Sequence, residues 1–232
     1  MTRSAFRIPA LVTSFVAVVL LVLTTVSTPT TYHKSTPFDV VRAHSLNGAV
    51  DLTSDNQSGL DRARFGLWGY CTEALNSDRF SECTRPLNYM YTAEFSTGKA
   101  GKNDSSKTAS VKSSYTRGLL TAAVALIASV IAFALSFAPS LIVELVASVV
   151  YLIATLITLA AFIVQVVFYV YIRHQLHEVA TGSVVYPGPA FYFTLISIPL
   201  LFFSALTVCC GYRKGRKDQS LDSVNNKAAV EV

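Results

Sequence analysis

Long apolar runs separated by polar stretches dominate the chain, and the length of these runs indicates its class. A helix needs about 20 predominantly apolar residues to cross a hydrocarbon core roughly 30 Å thick. Four runs reach this length with no Lys, Arg or Asp inside the apolar stretch. They predict four membrane-spanning helices, at residues 8–27, 118–137, 141–172 and 190–210.

The polar segments between these runs give the predicted layout. Residues 28–117 form one large loop, residues 138–140 a tight turn and residues 173–189 a short second loop. The third run exceeds the hydrocarbon thickness at 1.5 Å per helical residue, so we expect its far end to project from the membrane. The terminal segments are residues 1–7 and 211–232, and the polar composition of the second favours an unstructured tail.

Composition and charge agree with a membrane protein and suggest its orientation. The chain is 52% hydrophobic and 14% charged, whereas soluble domains carry about 25% charged residues. The net charge is +5, and basic residues flank the first and last runs: Arg3, Arg7, Arg213, Lys214, Arg216 and Lys217. The positive-inside rule therefore predicts cytoplasmic termini and extracellular loops.

The first run has a second interpretation, as a cleaved signal peptide that follows a positively charged N-terminus. Its apolar stretch is longer than a usual signal core, and Ser27-Thr28-Pro29 is a poor cleavage site. We therefore favour a retained helix. Both interpretations place the first loop outside the cytosol.

The first loop is the only segment large enough for a folded module. Aromatic and β-branched residues favour strands at residues 38–41, 65–71 and 88–92. Residues 98–114 are rich in Lys, Ser and Gly, which is typical of a flexible linker. The loop is therefore expected to form a small β-rich cap followed by a linker.

An extracellular location has chemical consequences for the first loop. Cys71 and Cys83 would lie in an oxidising compartment and are expected to form a disulfide. Asn56 and Asn103 begin Asn-x-Ser sequons and are candidate glycosylation sites.

Cys209 and Cys210 lie at the predicted inner end of the fourth span, beside the basic cluster. A disulfide between them is not expected in the reducing cytosol. Juxtamembrane cysteines can be S-palmitoylated, and nearby basic residues attract anionic lipid. The alternative is that they are two ordinary helix-end cysteines.

One short motif carries a resemblance to a known family. Its residues are Gly66, Leu67, Trp68, Gly69, Tyr70 and Cys71, followed by Cys83. The motif resembles the first-loop signature of claudin-like tetraspans, and its fuller form is similar to the fungal branch. That branch includes the PalI-type pH-response regulators and the eisosome claudin-like proteins. Residues 188–195 resemble the start of the last helix in the same branch.

The resemblance implies an all-α membrane fold, a claudin-like four-helix bundle with a small β-rich extracellular loop. It also implies a non-enzymatic plasma-membrane protein that assists a membrane sensor complex in the ambient-pH response. One alternative is an eisosome or cortical membrane-domain organiser linked to the cell wall. Another is a claudin-like regulator of calcium influx during mating. The motif has a simpler interpretation too, in which it only stabilises the fold of the loop.

Histidines offer the clearest candidate chemistry, because histidine changes charge near neutral pH. His174 and His177 are three residues apart and share a helix face if the third helix continues. A pH-sensing patch is one hypothesis, and a solvated helix end is the other. Together with Glu178 they do not complete a zinc ligand set, so no metal site is predicted.

Other functional classes lack a sequence signature. The chain contains no G-x-S-x-G, H-E-x-x-H, P-loop or dinucleotide-binding motif, so neither enzymatic activity nor a cofactor is predicted. The expected partners are membrane lipids and other membrane proteins, such as a pH-sensor complex, and no nucleic acid. A homo-oligomer is also compatible with the sequence.

Few polar residues interrupt the spans, and each suggests a packing role. Glu144 lies in the first turns of the third span, where the helix dipole favours a carboxylate. Gln165 is deeper and is expected to hydrogen-bond across helices. Ala128, Ala132 and Ser136 form a small-residue stripe that predicts close helix packing.

Overall fold

A computed structural model describes residues 4–26, 38–53, 59–75, 80–84, 91–96, 108–138, 140–180 and 182–230. The helices in these ranges are α1 (Ser4–Thr25), α2 (Ser113–Gly118), α3 (Thr121–Leu135), α4 (Leu141–Val179) and α5 (Pro189–Val230). The strands are β1 (Val41–Asp51), β2 (Leu60–Phe65), β3 (Tyr70–Ala74), β4 (Phe80–Cys83), β5 (Ala93–Ser96), β6 (Thr108–Val111) and β7 (Val184–Pro187).

Four helical segments are long and apolar enough to cross a membrane: Ile8–Thr25, Ser113–Leu135, Ile142–Val179 and Pro189–Arg213. They correspond to the four runs expected from the sequence. The expectation of an unstructured tail is wrong, because α5 continues without a break to Val230. The tail has no Pro, and extending an existing helix avoids the cost of nucleation.

The four long helices pack as a bundle in which α1 contacts α3 and α5, and α4 contacts α3 and α5. Small residues allow this close packing. The buried face of α3 consists of Ala122, Ala125, Ser129 and Ala132. The predicted stripe is therefore right at Ala132 and displaced at Ala128, which is only half-buried.

A curled seven-stranded sheet covers one end of the bundle. Its order is β4-β3-β2-β1-β5-β6, and β7 also pairs with β1. The expected β-rich first loop agrees with this sheet. The all-α description is wrong for the whole chain, because the second loop also contributes a strand that joins the sheet through β1.

Two local expectations about the first loop are corrected. The run 65–71 is not one strand, because residues 66–69 form the turn between β2 and β3. The segment 98–114 is not linker throughout, since β6 and the start of α2 lie within it. Both errors arise because pairing with distant strands overrides local composition. The run 88–92 lies mostly outside the described residues.

The end of α4 packs directly against the sheet, which confirms that the third helix projects beyond its predicted span. Phe168, Ile172, Leu176 and Val179 are buried together with residues of the sheet in one hydrophobic core. The Tyr171 hydroxyl also donates a hydrogen bond of 2.6 Å to the Ser110 carbonyl of β6. The sheet and the bundle therefore share a single core.

Candidate functional site at the junction of sheet and bundle

The β2–β3 turn is held by a backbone hydrogen bond and by an indole. The Gly66 amide donates to the Gly69 carbonyl at 2.8 Å. Between them, the Trp68 indole Nε1 donates to the Thr25 carbonyl at 2.6 Å. Thr25 is the last residue of α1, where helix carbonyls lack partners within the helix. Trp68 therefore attaches the sheet to the end of the first span.

A buried tyrosine holds the same turn from the other side. The Tyr91 hydroxyl donates to the Gly66 carbonyl at 3.0 Å, and the Tyr91 side chain is almost fully buried. Burial raises the pKa of this phenol, with a smaller contribution from Tyr70. The hydroxyl therefore stays protonated and remains a donor.

The two loop cysteines form the disulfide expected from the sequence. Cys71 on β3 and Cys83 on β4 are register partners and are covalently joined. The bridge thus closes the hairpin that follows the glycine turn. Gly66 shapes the turn, Cys71 closes the hairpin and Trp68 attaches the sheet to α1, which supports the structural interpretation of the motif.

The second loop is held to the first strand by a glycine with little space around it. The Gly188 amide donates to the Val40 carbonyl at 2.8 Å, and a Cβ at Gly188 would lie 2.1 Å from the Asp39 carbonyl oxygen. Asp39 is fully buried and forms an ion pair with Arg42. The start of α5 is therefore fixed against the first loop.

A groove lies between the end of α4 and β7, and it contains both histidines singled out from the sequence. Its volume is about 600 Å³. It is lined by Tyr169, Val170, Arg173, His174, His177, Ser183, Val184, Val185 and Tyr186. We call it the α4–β7 groove. His174 and His177 do share one helix face, and the nearest carboxylate to His174 is that of Glu178, at 4.0 Å.

A third histidine lies where both loops meet. His44 on β1 is paired with Arg62 on β2 and with Val184 on β7, and its ring contacts that of Tyr186. Burial lowers the pKa of His44 below its ordinary value of 6.5, and Arg62, Arg64 and Arg42 lower it further.

The polar residues of the spans have the packing roles expected of them. The Gln165 amide of α4 donates to the Thr194 hydroxyl of α5 at 3.1 Å, which confirms the interhelical hydrogen bond. Glu144 is buried in the first turn of α4, which begins after the N-cap residue Ser140.

The remaining predicted sites are far from the groove or outside the described residues. Cys209 and Cys210 are free thiols near the end of the fourth apolar segment, half-buried and exposed respectively. Their palmitoylation stays a prediction. Asn56, Asn103 and His33 lie outside the described residues. Within the described ranges, no group of three or more His, Cys, Asp or Glu side chains could hold a metal ion.

Comparison with known protein families shows the family to which the chain belongs. The model of the SUR7/PalI family matches residues 6–210. The chain belongs to the SUR7/PalI family. The match includes both loops and nearly all of the four apolar helical segments, and the resemblance carried by the glycine-tryptophan-cysteine motif is confirmed. No curated protein matches the chain.

As a SUR7/PalI protein, the chain is a multi-pass membrane protein of the fungal claudin-like kind. Its sequence indicated the histidines of the α4–β7 groove but not the other lining residues. Arg173 on α4 and Tyr186 on β7 come from different elements, and the contacts between α4 and β7 bring them to one groove. The sequence Pro187-Gly188-Pro189 at the start of α5 is a turn signal that could have pointed to this loop.

Proposed function

We propose that this SUR7/PalI protein is a non-catalytic plasma-membrane protein that assists a membrane sensor complex in the response to ambient pH. The observation that carries the proposal is the α4–β7 groove, where His174 and His177 stand exposed beside Arg173. Histidine is the side chain that gains or loses charge near neutral pH. The family also includes PalI-type pH-response regulators, which supports a pH-dependent role for these histidines.

The proposed orientation places the sheet outside the cell and both termini in the cytosol. The disulfide between Cys71 and Cys83 supports it, because stable disulfides belong to oxidising compartments. Arg213 supports it as well, because it ends the fourth apolar segment far from the sheet. The α4–β7 groove would then face the medium whose pH is sensed.

The proposed mechanism is a change of charge at a docking surface. Among the described residues, the charged or titratable groups beside the two histidines are Tyr169, Arg173 and Glu178 on α4 and Tyr186 on β7. A histidine side chain is positively charged when protonated and uncharged when neutral, so two histidines next to Arg173 make the charge of this surface sensitive to pH. A sensor protein that contacts the surface around the groove would thereby bind differently at acid and at alkaline pH.

The test is growth at alkaline pH of a deletion strain that carries either the wild-type gene or the His174→Ala/His177→Ala variant. The proposal expects the variant to grow as poorly as the deletion strain while a fluorescent C-terminal fusion stays at the plasma membrane. Gln175→Ala is the matched control, since Gln175 lies on the same helix outside the groove lining. Normal alkaline growth of the double variant would refute the pH role.

A second candidate function, the cortical membrane-domain organiser, is favoured by the part of α5 where the fourth apolar segment ends. Cys210 and Arg213 are exposed there, and the helix continues past the apolar segment. This role predicts static surface patches that disperse in a Cys209→Ala/Cys210→Ala variant, together with loss of acyl-exchange labelling. Mobile, unlabelled wild-type protein would contradict it. The calcium-influx role stays a prediction from the resemblance.

A further inference from the structure

One face of α4 is exposed along almost the whole helix and is apolar. The exposed side chains recur at helical spacing and are Val149, Ile153, Leu156, Ile163, Val167 and Val170. In a membrane-spanning helix such a face contacts lipid chains. His174 and His177 continue the same face, three or four residues apart, beyond Val170.

The α4–β7 groove therefore begins where the lipid-facing surface of α4 ends. Val170, which is 57% exposed, belongs both to that surface and to the groove lining. Tyr169 lines the groove next to it and donates its hydroxyl to the Val185 carbonyl at 3.3 Å. Tyrosine at this depth is typical of the headgroup region of a bilayer.

The polar part of the groove is cationic. Arg173 and His177 have no carboxylate within 4.0 Å among the described residues, and His174 reaches only Glu178 at that distance. An exposed guanidinium without an acidic partner favours an anionic ligand, and Arg matches the geometry of a phosphate especially well. An apolar floor joined to a cationic rim is complementary to an amphiphile with a phosphate headgroup.

We propose that the α4–β7 groove binds the headgroup of an anionic phospholipid from the leaflet on the sheet side. Arg173 contacts the phosphate, and Val167 and Val170 contact an acyl chain. A volume of about 600 Å³ suits a headgroup, and it lies within the range of small-molecule sites. This lipid site deepens the proposed function, and only its pH dependence rests on that function.

The pH dependence follows from the groups around the phosphate. Arg173 is positive at every pH of interest, so it supplies a constant attraction. Histidine as a side-chain type gains positive charge as the pH falls. His174 and His177 share the groove with Tyr169 of α4 and Tyr186 of β7, and the Glu178 carboxylate lies 4.0 Å from His174. His44 lies behind Tyr186 and is outside the groove lining. Binding is therefore tighter at acid pH than at alkaline pH.

The experiment is native mass spectrometry of the purified full chain in mixed micelles that contain either phosphatidylglycerol or phosphatidylcholine. The phosphodiester of phosphatidylglycerol keeps its charge between acid and alkaline pH, so any pH effect belongs to the protein. Wild type is expected to retain phosphatidylglycerol preferentially, and Arg173→Gln to bind it about fivefold more weakly, as expected for one basic residue near lipid.

The control is Arg117→Gln, an exposed arginine near the sheet outside the groove lining. Equal loss in both variants, or equal retention of the two lipids by wild type, would overturn the lipid site. Retention of an acidic peptide in preference to phosphatidylglycerol would also overturn it and assign the groove to a protein partner.

The His174→Ala/His177→Ala variant separates this inference from the proposed function. It should keep binding at alkaline pH and lose the tightening at acid pH. Preserved lipid binding with normal alkaline growth would leave the lipid site standing and remove the pH role. If wild type showed no lipid selectivity while the histidine variant grew poorly at alkaline pH, the lipid site would be refuted and the pH role would stand.

Discussion

At the scale of single residues, Trp68 shows how a sequence motif acts through one hydrogen bond. Its indole donates to the last carbonyl of α1. The sequence could not indicate this partner, because the bond joins residues 43 positions apart and depends on how the sheet sits on the bundle.

Replacement of this donor has a defined consequence. Trp68→Phe keeps an aromatic ring but removes the N–H, and we expect it to lower the free energy of unfolding by about 1 kcal/mol. Thermal unfolding of the purified protein in detergent measures the change. Thr25→Val is the control, since the bond uses the Thr25 backbone and should survive that substitution. Equal stability of Trp68→Phe and wild type would contradict this role of the indole.

Among the glycines that the structure describes, Gly188 has the least room for a side chain. Gly188→Ala should destabilise the protein severely, because the new Cβ would lie 2.1 Å from a backbone oxygen of Asp39. Gly118→Ala should be milder, since its nearest neighbour is a methyl group of the Val164 side chain, at 2.7 Å. The yield of monodisperse protein and its melting temperature compare the two. A stable Gly188→Ala protein would show that the second loop is not held against Asp39 as described.

His44 makes stability depend on pH. Its pKa is lowered in the folded state, first by burial and then by Arg62, so the unfolded chain binds more protons as pH falls below about 6.5. The contribution of His44 to the free energy of unfolding is therefore fully present above that pH and is lost progressively as the pH falls below it. We expect the loss of melting temperature between neutral and acid pH to be smaller in His44→Gln than in wild type. The same loss in both proteins would exclude His44 as its source.

At the scale of elements, the sequence predicted the helices far better than the strands. A run of about 20 apolar residues is a local signal that needs no partner, so all four spans were found. Strands need partners, and β7 became recognisable only through its pairing with β1. The run at residues 65–71 looked like one strand because nothing in its aromatic composition marked the turn at Gly66–Gly69, whose backbone hydrogen bond reverses the chain.

The β3–β4 hairpin depends on its disulfide. Cys71 and Cys83 are 12 residues apart, and closing a loop of this size stabilises a fold by about 3 kcal/mol on the chain-entropy model. The Cys71→Ser/Cys83→Ser double variant should therefore unfold at lower temperature, and a reducing agent should bring wild type to the same value. A melting temperature that neither treatment changes would contradict the prediction.

At the scale of the whole molecule, the sheet and the bundle form one unit with a shared core that includes Phe65 of β2 and Phe168 of α4. This unit explains why the candidate site could be predicted only in part. His174 and His177 were visible as a helical pair, but the groove needs β7 folded back against α4. A local pattern reveals candidate chemistry, whereas the shape around it comes from long-range contacts.

The central claim is that this sheet, with the α4–β7 groove, faces the outside of the cell. Labelling with a membrane-impermeant maleimide tests it most directly, in a Cys209→Ala/Cys210→Ala background that carries either Tyr186→Cys or Arg213→Cys. Both positions are exposed, at opposite ends of the spans. The account predicts labelling of position 186 in intact cells and of position 213 only after permeabilisation. The reverse pattern would contradict the orientation and the pH role that depends on it.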